Sequence, residues 1–247
     1  MNHSFEEPTM GPGVFDTLSA PPGWNPWGAV NFNFRTIGGL NPAGTQLYAE
    51  PAPHGNNVGV AFMGPSVSNS PAGLEQMLTA TLQSRTRYTL EVDVGNIAND
   101  PTPPHNNFEF TGFPGYRIEL LAGTNLIAAD HHSILPDDGY FLTSTIEVTT
   151  ASCDTREGLN LMIRLINLDQ SPGLEVNFDN VRLDATPWPL PFIRITNRVD
   201  GLIRIDFSGE LSVSEDLEQW TPLNPQPISP WIFAPTGQQR RYFRTSE

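Results

Sequence analysis

A carboxylate sits where a strand loses step. In Gly173–Pro187, GLEVNFDNVRLDATP, the residues Leu174, Val176 and Phe178 share one face of an extended segment, whereas Val181 and Leu183 belong to the opposite phase. The slip falls at Asp179-Asn180 and predicts a β-bulge, a feature that re-aims side chains beside functional sites. A turn between two short strands would also account for the pair. Two chemistries are open to Asp179. Set among phenylalanines it would be an acid, because an apolar pocket disfavours the charged form and raises a carboxyl pKa towards neutrality. Ionised and joined by further oxygens, it would instead hold a hard cation. Glu6, near the first strand, and Asp179 or Asp184, near the last, converge on such an ion if those two strands lie side by side.

Other residues that could do chemistry are less organised. Trp24 and Trp27 stand in Pro21-Pro22-Gly23-Trp24-Asn25-Pro26-Trp27, where an indole offers a flat apolar face to a sugar or another ring, or else plugs one end of the core. His131 and His132 follow Asp130, but neighbouring residues on a strand point to opposite faces, so they chelate poorly and read as solvated loop residues. No Gly-x-Ser-x-Gly elbow and no phosphate-cradling glycine loop occurs. A glycosidase would need two carboxylates across a cleft, and chain spacing does not single out a pair. Cys153 is the single cysteine, so it forms no internal disulfide and is incidental.

The elements that must position these residues are strands. Tyr88, Leu90, Val92 and Val94 alternate with Thr89, Glu91 and Asp93 in the cleanest of them. Segments 57–63, 115–122, 125–130, 141–148 and 159–168 read as further strands, with a hairpin at Gly123-Thr124, and 74–82, which fits helix or strand, is taken as strand because strands lie on both sides. Long proline- and glycine-rich stretches at 31–53 and 96–107 read as loops of functional length. The expected fold is all-β: a jelly-roll β-sandwich over residues 1–187. Trp188-Pro189-Leu190-Pro191 then stops regular structure, and alternation at 192–197, 202–207, 211–214 and 240–244 predicts a small C-terminal β module over 188–247.

Charge narrows the partners. All 13 basic residues are arginine against 27 acidic ones, for a formal charge of −14. Twenty of the acids lie before residue 188. Such a field disfavours nucleic acid and anionic membranes and favours cations, calcium included. No apolar run approaches the roughly 18–20 residues that would cross a bilayer. The lysine-free, acidic composition leads to the expectation of an exported bacterial protein, secreted or on the cell surface, whose export signal has been removed.

The runs Tyr88–Asn96, Gly112–Gly123, Ile163–Leu168 and Val176–Leu183, together with Phe5-Glu6, resemble the Stig cyclases. Residues 4–187 also resemble the wider group of exported, calcium-binding jelly rolls to which carbohydrate-binding modules belong. The first resemblance implies an aspartate acid in Phe-Asp-Asn-Val, here Asp179, which protonates an indole-isonitrile terpenoid to start a Cope rearrangement and cyclisation. It maps aromatic walls near Phe108, Phe110 and Phe113. Where those enzymes carry a tyrosine in the strand after Asn57-Val58-Gly59, this chain has Val60-Ala61-Phe62, which leaves Phe62 as the ring offered to a ligand. The second resemblance implies a structural calcium held by Glu6 with Asp179 or Asp184.

The leading expectation is a secreted, calcium-stabilised jelly-roll module that binds a carbohydrate or similar small molecule through Trp24, Trp27, Phe62, Phe108, Phe110 and Phe113. The alternative is a Stig-cyclase-like enzyme with Asp179 as its acid. A structural or adhesion protein is the third reading, and each is compatible with a homo-oligomer.

Overall fold

The computed structural model describes residues 2–64, 70–170, 173–188, 192–235 and 241–246. Two compact units divide the chain, Met1–Pro187 and Trp188–Glu247. In the first, the strands are β1 (Phe15–Asp16), β2 (Asn25–Gly28), β3 (Arg35–Leu40), β4 (Val58–Met63), β5 (Ala72–Thr81), β6 (Thr86–Asn96), β7 (Tyr116–Ala122), β8 (Asn125–His131), β9 (Tyr140–Thr149), β10 (Asn160–Asn167) and β11 (Glu175–Pro187). The only helical element among the described residues is a 3₁₀ turn at His105–Asn107. Among the described residues no helix is long and apolar enough to cross a membrane.

Two antiparallel sheets form the sandwich, a six-stranded one in the order β1-β3-β4-β11-β6-β9 and a five-stranded one in the order β2-β5-β10-β7-β8. Period-two patterning explains their stacking. Leu90, Val92 and Val94 of β6 and Val176 and Phe178 of β11 point inward to meet Leu161, Ile163 and Leu165 of β10 and Ile118 and Leu120 of β7. Each such side chain, removed from water, stabilises the fold by roughly 1.5–3 kcal/mol. A charge introduced at Val92, which is fully buried, would break this layer.

The six-stranded sheet is covered on its other face as well. Val58 and Val60 of β4 and Leu40 of β3 belong to a second apolar cluster with Leu47, Tyr48, Ile97 and Phe110. Segment 41–57 and the chain after β6 supply the last four and roof this face. Strand β3 lies within the stretch expected to be loop. Its two glycines weaken strand propensity, but Gly38 is required: a Cβ there would strike the Asp16 carbonyl of β1.

The bulge lies where the period slips. β11 pairs with β6 through Asp179↔Asp93 and resumes at Arg182↔Glu91, with Asn180 at a left-handed φ of 51°. Val181, on the bulge, donates its N–H to the His3 carbonyl at 2.9 Å and so ties down the N-terminal segment.

The second unit has two three-stranded sheets built from β12 (Ile193–Asn197), β13 (Ile203–Phe207), β14 (Glu210–Ser214), β15 (Thr221–Pro222), β16 (Trp231–Phe233) and β17 (Tyr242–Ser246). Their orders are β12-β13-β16 and β15-β14-β17. Ile205, Phe207 and Leu211 form its core beneath Trp231, Phe233 and Phe243. Pro189–Pro191 and Arg240 lie outside the described residues.

Candidate active site

A cleft of about 150 Å³, open to solvent on one side, lies on the outer face of the six-stranded sheet. Strand register builds its floor. Thr36 of β3 pairs with Phe62 of β4, and Phe62 pairs with Glu175 of β11, so the three stand in one row across the sheet. The walls are phenylalanines. Phe108 meets Phe62 edge-on at 5.7 Å, stacks on Phe110 at 5.7 Å and meets Phe15 edge-on at 6.5 Å. His105 also lines the cleft, and its Nε2 lies 3.0 Å from the Gly13 carbonyl, which accepts only and therefore fixes a proton on that nitrogen.

Glu175 is the one carboxylate in the cleft lining, and only 6 % of it is exposed. Burial pushes its carboxyl up to about 7, although the Asn177 side-chain amide, donating to Oε1 at 2.9 Å, opposes the shift. It therefore keeps a proton on about half of the molecules at neutrality while facing an apolar, aromatic space, the condition for a general acid.

Asp179 does not line this cleft. It lies four residues along β11, fully buried, and accepts N–H groups from His54 at 2.7 Å and Asn180 at 2.6 Å. Burial raises its carboxyl to about 8 against those two donors, with Asp93 and Glu6 adding to the rise. Glu6 reaches the same loop: its Oε1 accepts the N–H groups of Asn56 at 2.9 Å and Asn57 at 2.8 Å. The buried Oδ1 of Asn57 has no hydrogen-bond partner among the described residues. Asp184 is exposed and pairs with Thr89, away from Glu6 and Asp179. Among the described residues no three His, Cys, Asp or Glu side chains are assembled to hold a metal.

The aromatic candidates separate as well. Phe62, Phe108 and Phe110 line the cleft. Phe113 instead packs on Tyr116 and His132 at the edge of the sandwich core. Trp24 is buried to 3 % exposure, stacks on Phe5 and donates its indole N–H to the Asn2 carbonyl at 2.8 Å. Trp27 lies on β2 of the other sheet with the Arg164 guanidinium 5.3 Å above its ring. Neither tryptophan reaches the cleft. Asp130 is a structural acceptor for the hydroxyls of Tyr116, Ser133 and Ser144, and Cys153 is exposed and free.

Sequence reasoning missed Glu175. Its only local signal is phase: Glu175, Asn177 and Asp179 alternate with Val176 and Phe178, and such a polar phase reads as a solvent face unless something roofs it.

Residues 1–184 match a protein-family model described as HpiC1 cyclase, HpiC1-like. Among solved structures, the chain is similar to a Stig cyclase, Fisc from Fischerella sp. TAU, in complex with (3Z)-3-(1-methyl-2-pyrrolidinylidene)-3H-indole. The identity is 34 % and the TM-score 0.69, over 76 % of this chain and 96 % of that one. It is likewise similar to a cyclase from Fischerella sp. TAU in complex with 4-(1H-indol-3-yl)butan-2-one, at 36 % identity and TM-score 0.68 over 76 % and 96 %. No curated protein matches. These matches overturn the carbohydrate-binding-module expectation: the family is one of cyclases, and the aromatic surface is a cleft beside a buried acid rather than a tryptophan platform. With most of its length inside the family match, the chain belongs to the HpiC1-like family of Stig cyclases.

Proposed function

We propose that the protein is a cyclase that protonates an indole-bearing terpenoid from Glu175 and thereby starts its rearrangement and ring closure. The observation that carries this reading is the position of Glu175, a buried carboxyl that holds its proton up to about pH 7 and opens onto a phenylalanine-lined cleft. Two related cyclases bind indole compounds, which suits an open cleft lined by phenylalanines.

The chemistry follows from the residues. The carboxyl O–H of Glu175 adds its proton to the substrate, leaving a carboxylate and a substrate cation. The faces of Phe62, Phe108 and Phe110 carry negative quadrupole and stabilise that cation without attacking it. They also exclude water, which would otherwise trap it. Loss of a proton from the cyclised cation to Glu175 restores the acid, so the overall step is an isomerisation. Replacing Glu175 by Gln keeps size and hydrogen bonding but removes the proton. Turnover of the indole-isonitrile terpenoid then falls by roughly 10²–10⁴-fold, with the probe 4-(1H-indol-3-yl)butan-2-one still bound. Undiminished turnover would rule the role out.

Calcium belongs to a different place in this reading. Glu6, Asp179 and the buried Asn57 Oδ1 supply hard oxygens around one loop, a donor set that suits the ion. There it would pin the N-terminal segment to the bulge of β11, a structural service away from the cleft.

A further inference from the structure

Behind Glu175 runs a buried chain of hydrogen bonds that the acid step does not itself use. Tyr48 Oη is 2.6 Å from Asn177 Oδ1, and Asn177 Nδ2 is 2.9 Å from Glu175 Oε1 and 3.2 Å from the Gly59 carbonyl. Asn177 is fully buried, and Tyr48 and Glu175 nearly so. The Gly59 carbonyl settles the direction of the whole chain. A carbonyl only accepts, so the amide nitrogen of Asn177 faces it, and the same NH₂ group donates to Glu175. The amide oxygen is thereby turned to Tyr48, whose hydroxyl must donate.

The fold makes room for this arrangement. Gly95 of β6 stands opposite Asn177, and a Cβ there would lie 2.6 Å from Tyr48 Oη and run into the ring of Phe141. That ring stacks on Tyr48 at 4.3 Å and holds it in place. Packing and polar contacts therefore both fix the phenol on Asn177.

We propose that Tyr48 and Asn177 are positioning residues that lock the proton of Glu175 onto Oε2, the oxygen not engaged by Asn177. With Oε1 held as the acceptor of an amide N–H, the carbonyl character stays there and the O–H stays on Oε2. This inference rests on Glu175 being the proton donor. The titratable groups that face Glu175 are Tyr48 from segment 41–57 and His105 from the 3₁₀ turn. β3 and β4 present Thr36, Val60 and Phe62, and Asp93 and Asp179 pair with each other four residues further along β11.

The test compares Tyr48→Phe, Asn177→Leu and Glu175→Gln in the full chain, by turnover of the indole-isonitrile terpenoid against pH and by NMR titration of a carbon-labelled glutamate carboxyl. The amide N–H favours the ionised carboxyl, so loosening it raises the pKa of Glu175. Tyr48→Phe, which removes one oxygen atom from a packed ring, is expected to lower kcat roughly ten-fold, the scale of one hydrogen bond. It also moves the alkaline limb of the profile and the NMR midpoint to higher pH. Asn177→Leu moves both further, if it folds. A limb and midpoint left in place by Tyr48→Phe would overturn the proposal, because loss of packing alone lowers activity without moving them. Should Glu175→Gln stay active, the acid reading fails, while the NMR midpoint in Tyr48→Phe still decides the hydrogen-bond chain.

Discussion

Glu175 and Phe62 face each other across β11 and β4, so the acid of the cleft stands directly beside a phenyl ring instead of a polar neighbour. This one pairing ties electrostatics to recognition. The ring that keeps water from the carboxyl, and so holds its proton on, is also part of the surface on which a substrate cation would form.

The pH behaviour follows from that environment. Turnover depends on protonated Glu175, so it is expected to be half-maximal near pH 7 and to fall towards ten-fold per pH unit above it. Stability has its own sign. The native carboxyl titrates at about 7 against an ordinary 4.5, so between these values the native state holds a proton that the unfolded chain has lost. The contribution is fully present below 4.5 and is lost as pH rises through about 7, on the order of 3 kcal/mol in all. Denaturant melts across this range should show the slope in the native chain and lose it in Glu175→Gln.

Calcium at the proposed site of Glu6, Asp179 and Asn57 would act on stability and not on the cleft, and so would its removal. An ion held at a hundred times its Kd adds about 2.7 kcal/mol. Excess chelator should therefore lower Tm by roughly 5–10 °C, and Glu6→Gln should make the protein need more calcium to regain it. Calorimetry with and without chelator reads this directly. An unchanged Tm together with metal-free protein by elemental analysis would dismiss the ion.

Much of this was legible in the chain, but unevenly. Tyr88 to Val94 and Leu174 to Phe178 alternate so regularly that the sandwich strands follow from the sequence, and the phase change at Asp179-Asn180 marks the bulge. Glu175 was hidden because the same alternation assigns it to the outer face. That face is buried only because segment 41–57 and the Phe108–Phe110 stretch fold over it, a non-local event with no local signature. Tyr48 meets Asn177 from 129 residues away. The family resemblance pointed to the cyclases but laid their acid on Asp179, the bulge carboxylate, which does not line the cleft.

A methyl group at Gly95 should reproduce the loss of the Tyr48 hydroxyl. In Gly95→Ala the new Cβ meets Tyr48 Oη and the Phe141 ring in a space with no slack. Overpacking of this kind costs about 1–3 kcal/mol, and the phenol must move off Asn177. The expected result is a lower Tm together with the alkaline-limb shift of Tyr48→Phe. A lower Tm with the limb unmoved would mean that the methyl is absorbed by Phe141 alone.

Phe108 is the ring on which the wall depends, since it touches Phe15, Phe62 and Phe110 at once. Truncation in Phe108→Ala removes three aromatic contacts, each worth about 0.5–1.5 kcal/mol, and opens the cleft on its solvent side, where the ring is already 39 % exposed. Binding of 4-(1H-indol-3-yl)butan-2-one should weaken by at least roughly ten-fold, which calorimetric titration would detect. The chemical consequence is more specific. With the wall breached, water competes with ring closure for the cation, so product analysis should find a hydroxylated terpenoid that the native protein does not release. Because Glu175 keeps its Phe62 neighbour and its Asn177 contact in this variant, total substrate consumption should fall far less than the share of cyclised product. A parallel loss of both would place Phe108 in binding alone and leave the exclusion of water to Phe62 and Phe110.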